Sequence, residues 1–322
     1  MIQTSEEWDE VRGPWEVAIP DGVCLVQLAD WQTLLSADGT VYWLERAWWD
    51  EAGRRVSKRA VVESPWLSHW SKGLGRPGWI SRSYGSFQVD EDGLAAGCYG
   101  GAWDLDVEEV CWASDGSELP TGVTYSQVIG AGKTGLLLAL RSDGVIAWID
   151  PVKAETKAHG WLTEVAPPAG ARFTKIVAAE EKVGAVDSTG GAWSATPNSP
   201  QGGTAVLPHA EGTQFMDVGA LWSELVFVRS DGVVARTDDY GDPDYDSVSA
   251  SFPRPVRVSG GAYGQVWLTE DGGAIPWGND LLYEDGVDEV EDVIVPPVGT
   301  GWRFVDAVTA LDWGVFALVR DD

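Results

Sequence analysis

Residues 215–232, FMDVGALWSELVFVRSDG, contain the pattern that decides the fold. This stretch predicts two short apolar strands joined by a bend that contains Trp222, followed by a turn at Asp231-Gly232. Asp-Gly favours a tight hairpin because Gly adopts a positive φ without steric cost. The same arrangement recurs along the chain, and it therefore predicts a repeat protein.

The sequence contains seven copies of this arrangement. Five have an Asp-Gly turn, at Gly39, Gly93, Gly144, Gly232 and Gly272; a degraded copy has Thr189-Gly190, and a seventh is cut off at Asp322. Successive copies are 40–54 residues apart, and β-rich runs precede most of them. Four strands in a unit of roughly 40–50 residues are typical of a propeller blade. The sequence thus predicts an all-β, seven-bladed β-propeller that forms a single domain over 1–322.

The two chain ends predict how this ring closes. The last copy reaches Asp322 before its outer strands, so we expect another part of the chain to supply them. The segment 1–20, which contains EEWDEVRGPWEVAIP, precedes the first full copy. We expect that N-terminal strand material completes the final blade, because a closed ring leaves no free blade at its ends.

Two copies carry a family resemblance: VIGAGKTGLLLALRSDGVIAWID at 128–150 and VSGGAYGQVWLTEDGGAIPWGND at 258–280. Their form, V-x-x-(A/G)-…-LAL-x-x-DG-x-V-x-x-W, resembles the regulator-of-chromosome-condensation repeat. The Trp-Gly signature of that family remains only at Trp277-Gly278-Asn279, and the second copy, near 79–99, departs most from the pattern. Within the family, the chain is similar in style to β-lactamase inhibitory protein II, which is also a seven-bladed propeller. Such a repeat predicts fold well and function poorly.

The charge of the chain limits the kinds of partner. Its formal net charge is −28 at pH 7, so repulsion from phosphates argues against nucleic acid. The charge fits either a basic protein partner or an acidic surface that only contacts solvent. We find neither an apolar run long enough to span a membrane nor an apolar N-terminal signal segment. We therefore expect a cytoplasmic monomer without a membrane partner.

The three cysteines are Cys24, Cys98 and Cys111. Cys98 and Cys111 are close enough in sequence to face each other across a hairpin. The count of three is odd, and we expect buried free thiols instead.

No catalytic constellation is predicted. The segment GAGKTG at 130–135 is similar to a phosphate loop, but that motif needs Gly where the chain has Gln127. The three histidines are scattered, and none lies near a cysteine at ligand spacing: His69, His159 and His209. Neither a nucleophile–base pair nor a zinc set can be assembled. We expect a protein that is not an enzyme, with no catalytic residue, no cofactor and no metal.

An acidic run after the fifth turn has the alternate spacing of a calcium loop, at Asp242, Asp244 and Asp246. The EF-hand form also needs Gly and Glu at positions that hold Ser247 and Pro253, so that motif fails. A loose calcium site and a solvated acidic loop both remain open.

The bends between the first two strands of each copy predict a binding face. Seven to nine residues before each turn, five copies have an aromatic residue: Trp31, Tyr84, Trp222, Tyr263 and Trp313. The other two copies have Lys133 or Thr134, and Glu181. In a closed propeller these positions form one ring, which we name the aromatic crown, and such residues dominate interface energetics. The alternative is that the rings fill the core between blades. In β-lactamase inhibitory protein II the matching positions are aromatic and grip the target, so the resemblance implies protein binding.

The segment 46–82 is a second candidate. It has eight basic and three acidic residues, whereas acidic runs occupy 238–246 and 280–292. Trp48 and Trp49 are adjacent, so on a strand they would point to opposite faces, which would leave at least one of them exposed. We interpret 46–82 as an irregular inter-blade segment that either docks an acidic partner or packs on the acidic loops of the protein itself.

Together these patterns predict a non-catalytic protein-binding propeller, such as an inhibitor or immunity protein that occludes an enzyme or toxin through its aromatic face. Two alternatives stay open. Tryptophan faces stack on sugars, which would suit a carbohydrate-binding, lectin-like propeller. The family name suggests a chromatin-associated exchange factor for a small GTPase, although the charge opposes contact with DNA.

Overall fold

The computed structural model shows an all-β chain. It describes residues 2–3, 19–29, 33–45, 60–63, 77–81, 85–99, 110–131, 136–150, 161–179, 182–195, 205–206, 211–221, 224–237, 243–247, 253–260, 265–277, 302–310 and 314–321. The described strands form seven antiparallel sheets, numbered here in chain order. One short strand, β1 (Ile2–Gln3), precedes the first sheet and belongs to the last.

Sheets 1 to 3 each have four strands in sequential order. Sheet 1 contains β2 (Leu25–Leu28), β3 (Thr33–Ser36), β4 (Val41–Glu45) and β5 (Ala60–Glu63). Sheet 2 contains β6 (Pro77–Ser81), β7 (Gly85–Asp90), β8 (Ala95–Tyr99) and β9 (Val110–Ala113). Sheet 3 contains β10 (Tyr125–Gly130), β11 (Leu137–Arg141), β12 (Ile146–Ile149) and β13 (Trp161–Val165).

Sheets 4 and 5 repeat this order. Sheet 4 contains β14 (Phe173–Ala178), β15 (Val183–Asp187), β16 (Ala192–Ala195) and β17 (Ala205–Val206). Sheet 5 contains β18 (Phe215–Leu221), β19 (Glu224–Arg229), β20 (Val233–Thr237) and β21 (Pro243–Ser247). The described part of sheet 6 contains β22 (Pro255–Gly260), β23 (Gln265–Thr269) and β24 (Ala274–Trp277).

Sheet 7 brings the two chain ends together. It contains β25 (Trp302–Ala310), β26 (Gly314–Asp321) and β1, in the order β1-β26-β25. Ile2 pairs with Leu318 and Gln3 with Ala317. N-terminal strand material does join the last sheet, but the pairing residues lie just before EEWDEVRGPWEVAIP, most of which is outside the described residues.

The segment 46–82 and the acidic run 238–246 both contain residues in strands. The segment 46–82 contains β5, which is the fourth strand of sheet 1, and β6, which is the first strand of sheet 2. The acidic run 238–246 overlaps β21, where Asp244 is opposite Arg236 and Asp246 is opposite Val234. The alternate spacing of Asp244 and Asp246 is therefore the period of a strand, and Asp242 lies outside the described residues.

The predicted Asp-Gly turns are confirmed as hairpins between the second and third strands. In sheet 1 the N–H of Gly39 donates to the carbonyl of Ser36 at 3.0 Å, and the N–H of Ser36 donates to the carbonyl of Thr40 at 2.9 Å. The six described turn glycines have φ between +76° and +87°. A three-residue hairpin loop needs this left-handed conformation at its last position.

The degraded fourth turn keeps the same geometry through a different carboxylate. In the first turn, Oδ1 of Asp38 accepts the N–H of Thr40 at 3.0 Å. In the fourth turn, Oδ1 of Asp187 accepts the N–H groups of Thr189 at 2.8 Å and of Gly191 at 3.0 Å. Asp187 thus replaces the turn aspartate that this copy lacks.

The turn glycines also set the approach of consecutive sheets. The carbonyl of Gly144 in sheet 3 accepts the N–H of Phe173 in sheet 4 at 3.1 Å. A Cβ on Gly144 would lie 2.5 Å from the Cβ of Arg172. Equivalent carbonyl bonds join Gly93 to Tyr125, Gly190 to Phe215 and Gly272 to Phe304. The other two junctions have Pro77 and Pro255 at the donor position, and proline has no N–H to give.

Apolar clusters fill the space between consecutive sheets. Trp148, Phe173 and Trp193 are buried between sheets 3 and 4, and the rings of Phe173 and Trp193 lie 5.9 Å apart. Trp267 is buried between sheets 5 and 6. Each such ring contributes roughly 1.5–3 kcal/mol through burial. Part of the tryptophan excess therefore belongs to the core.

The expectation of buried free thiols was wrong. Cys98 and Cys111 are directly opposed in β8 and β9 and form a disulfide. Cys24 is free but exposed. The hairpin brings the first two together because both lie at the same register position of one antiparallel pair.

The junction between sheets 3 and 4 can be tested with Gly144→Ala. This change adds both left-handed strain and the overlap with Arg172, whereas Gly170→Ala adds strain alone, since Gly170 has φ of +85° and no atom within 4 Å of an added Cβ. We expect Gly144→Ala to lose about 1–3 kcal/mol more free energy of unfolding than Gly170→Ala, measured in urea. Equal losses would contradict the role of the close approach.

Candidate functional site

The described strand ends define two edges of each sheet. The bend between the first and second strands lies at one end, which we name the bend edge. The Asp-Gly turn between the second and third strands lies at the opposite end, the turn edge. Because the third strand runs back from the turn edge, the connection to the fourth strand leaves from the bend edge.

All seven crown positions fall in bends and lie outside the described residues. The described strands on either side are the first and second strands of the seven sheets. Trp31 follows β2, Tyr84 follows β6, Lys133 and Thr134 follow β10, Glu181 follows β14, Trp222 follows β18, Tyr263 follows β22 and Trp313 follows β25. The predicted exposure of these residues stays a prediction.

The second candidate shares the bend edge. Trp48 and Trp49 also lie outside the described residues, in the connection 46–59 between β4 and β5. Glu45, the last residue of β4, pairs with Ala60, the first residue of β5, and both lie at the bend edge. The connection 64–76, between β5 and β6, instead joins strand ends at the turn edge. Topology thus places the strand ends next to both predicted tryptophan sets at one edge.

A buried lysine supports the bend edge near Trp222. Lys182, at the start of β15, donates from Nζ to the carbonyl of Thr237 in sheet 5 at 3.2 Å. Oγ1 of Thr237 accepts the N–H of Leu225, three residues after Trp222, at 3.1 Å. Sheets 4 and 5 are therefore joined by polar contacts beside this bend. No pattern in the sequence singles out Lys182 for this contact.

A second missed feature is a set of polar side chains on the first strands. Each first strand has a one-residue register shift near its start, as between Phe215 and Asp217. The residue after the shift is polar in six sheets: Gln27, Gln127, Lys175, Asp217, Arg257 and Asp306. We name this set the inner polar cluster. Its signal in the sequence is a polar residue two places after Leu, Tyr, Phe or Pro at the start of six of the seven first strands; sheet 2 has Trp79 at that position.

Four members accept the backbone N–H of the next first strand. The bonds measure 2.9 Å from Val258 to Asp217 and 3.0 Å from Ile176 to Gln127. Gln27 bonds both the N–H and the carbonyl of Ile80, at 3.2 Å and 2.8 Å. Asp306 of sheet 7 accepts the N–H of Leu28 of sheet 1 at 2.9 Å.

Charges alternate in sign along sheets 4 to 7. Nζ of Lys175 lies 2.6 Å from Oδ1 of Asp217, which is 6% exposed, and 3.3 Å from the carbonyl of Val258 in sheet 6. Burial raises the pKa of the Asp306 carboxyl, and the hydrogen bond from Leu28 and the positive charges of Arg257 and Lys175 act in the opposite direction. Side chains from sheets 4 to 7 are therefore close enough to interact, so these first strands converge.

The inner polar cluster joins neighbouring first strands through its side chains. Each carboxylate in it is occupied by a backbone N–H or a cation. Within the described ranges, no group of three or more His, Cys, Asp or Glu side chains could hold a metal ion. The same residues include no helix long and apolar enough to cross a membrane.

The repeated sheets and turns are those of a β-propeller, and this fold is similar to that of RCC1-like proteins, as the sequence predicts. Solved structures share this fold. Human WBSCR16 is 14% identical with a TM-score of 0.58, over 99% of this chain and 95% of that chain. Prp20p from Saccharomyces cerevisiae is 13% identical with a TM-score of 0.53, over 88% and 78%. Yeast RCC1 (Prp20) bound to Kap60 is 13% identical with a TM-score of 0.56, over 90% and 78%.

Comparisons at the level of sequence give no further relative. No family model matches the chain, and no curated protein matches it. The likeness to β-lactamase inhibitory protein II stays a prediction.

The role of Asp217 can be tested by two substitutions. Asp217→Ala leaves the buried N–H of Val258 without its acceptor and Lys175 without its partner, so we expect a loss of about 1–3 kcal/mol in the free energy of unfolding. Asp217→Asn keeps an acceptor for Val258 and should lose clearly less. Urea unfolding of both variants decides, and equal losses would show that the backbone hydrogen bond contributes nothing.

The pH dependence of Asp306 is a separate test. Its folded pKa is raised, so its contribution to stability is fully present below the unfolded pKa of about 3.9 and is lost as pH rises through the folded pKa. We expect the wild-type chain to lose free energy of unfolding relative to Asp306→Asn as pH rises from about 4 toward neutrality. A difference that grows in favour of wild type over that range would contradict the raised pKa.

Proposed function

We propose that the seven sheets are the blades of one closed seven-bladed propeller, with β1 completing the last blade. Three observations support this ring. β1 pairs with β26, Asp306 of sheet 7 bonds Leu28 of sheet 1, and apolar clusters fill the spaces between sheets 2 to 6.

In this ring, the protein binds another protein through the bend edge and carries out no chemistry of its own. The observation that carries this proposal is that all seven sheets have a bend at that edge and five of these bends hold Trp or Tyr. Tryptophan and tyrosine give a large contact area at low entropic cost and are frequent interface hot spots. Trp48 and Trp49 add to the same edge.

Two similar structures concern proteins that bind other proteins. Prp20p binds Gsp1p and histones, and yeast RCC1 (Prp20) was solved bound to Kap60. These partners are properties of those proteins, and they support protein binding as a use of the fold.

The charge and the form of the face suggest the kind of partner. With a formal net charge of −28, the chain attracts a basic partner and speeds its association at low salt. A ring of aromatic anchors on one face suits occlusion of a site on that partner. The finer proposal is an inhibitor or immunity protein that blocks an enzyme or toxin.

The crown is tested by Trp222→Ala and Trp313→Ala. The partner is first captured from a lysate of the native host with the purified chain as bait, at low and high salt, and identified by mass spectrometry. Each variant should weaken binding of the purified partner by about 2 kcal/mol, or roughly 30-fold in Kd, because a buried aromatic anchor is lost. Titration calorimetry measures the change.

Trp70→Ala is the matched control, because Trp70 belongs to the connection 64–76, whose flanking strand ends lie at the turn edge. It should bind like the wild type, and all three variants should keep the wild-type Tm. Full affinity in both crown variants and their double variant would reject the crown. A loss of the same size in Trp70→Ala would place the interface elsewhere.

A further inference from the structure

A disulfide joins the two outer strands of sheet 2. Cys98 of β8 and Cys111 of β9 are direct Cα partners, with their Cα atoms 3.9 Å apart. Cys98 is buried, whereas Cys111 is exposed. In the order β6-β7-β8-β9, β9 is the outermost strand. The disulfide therefore fastens an edge strand and can be approached from solvent on one side.

We propose that Cys98–Cys111 is a thiol–disulfide exchange site, opened by a dithiol reductant and closed by the disulfide form of the same couple. Exposed disulfides are the labile or regulatory ones, whereas buried structural disulfides resist reduction by cellular thiols. The state of the bond then decides whether β9 is held on sheet 2. This inference does not depend on the proposed binding function.

The exchange balances as two substitutions at sulfur. A thiolate of the reductant attacks Sγ of Cys111, the bond to Cys98 breaks, and Cys98 leaves as a thiolate that takes a proton from water. The second thiolate of the reductant attacks the mixed disulfide and releases Cys111, which also takes a proton. The reductant becomes a cyclic disulfide, and two electrons pass to the protein.

Release of β9 would also affect sheet 3, because Trp112, the residue after Cys111, contacts Tyr125 of that sheet. Trp112 meets Tyr125 edge-on, with ring centroids 5.9 Å apart, and Oη of Tyr125 donates to Glu118 at 3.1 Å. A four-residue edge strand belongs to the less stable part of a fold, so it can open while inner strands stay paired. Opening the disulfide thus loosens a contact between sheets 2 and 3.

The test uses the full chain with Cys24→Ser, which removes the free, exposed thiol. The protein is equilibrated at graded ratios of reduced to oxidised dithiothreitol and alkylated with iodoacetamide, and both modification and hydrogen exchange are read by mass spectrometry. We expect reversible alkylation of Cys98 and Cys111. Exchange at 110–113 should accelerate by on the order of tenfold, with exchange at 137–141 unchanged.

The double variant Cys98→Ser/Cys111→Ser, in the same background, is the matched control. It should exchange like the reduced protein at every ratio. Free thiols at both positions in the fully oxidised buffer would overturn the proposal. So would opening only together with loss of protection at 137–141, or alkylation that leaves exchange at 110–113 unchanged.

Discussion

The hydrogen bond between a first-strand side chain and the backbone of the next first strand is the constraint on which the other features depend. Asp217 accepts the N–H of Val258, and Asp306 accepts that of Leu28. The register shift before each acceptor is a bulge, which re-aims the side chain out of its own ladder. Since a buried N–H needs a partner, the acceptor fixes the position of the neighbouring sheet.

In the proposed ring, an odd number of blades would interrupt any strict alternation in this pattern. Acceptors occur in sheets 1, 3, 5 and 7, whereas sheets 4 and 6 contribute Lys175 and Arg257. In the proposed ring of seven, alternation must fail once, and sheets 7 and 1 both contribute acceptors. Asp306 accepts an N–H from sheet 1, and Gln27 accepts an N–H from sheet 2. The junction between the chain ends therefore has the same kind of hydrogen bond as the other junctions.

The sequence predicts the repeated parts of this fold well because their residue types are set by local backbone conformation. The positive φ of Gly144 needs glycine, and so the turns could be read directly. The disulfide was missed because sequence distance does not reveal that Cys98 and Cys111 share a register position. The inner polar cluster was missed because a polar residue in a short strand resembles a solvent-facing one until the sheets are placed around it.

The turn edge and the bend edge differ in how strongly the fold restricts their residue types. At the turn edge, Gly144 serves at once as turn residue, carbonyl acceptor and point of close approach, so few substitutions there leave the sheets in place. The bend edge has no glycine requirement of this kind: five of its equivalent positions have Trp or Tyr, and the other two have Glu181 and Lys133 or Thr134. Residues free of a structural requirement can be selected for recognition. For this reason we propose the bend edge as the binding face, whereas the turn edge contains determinants of the fold.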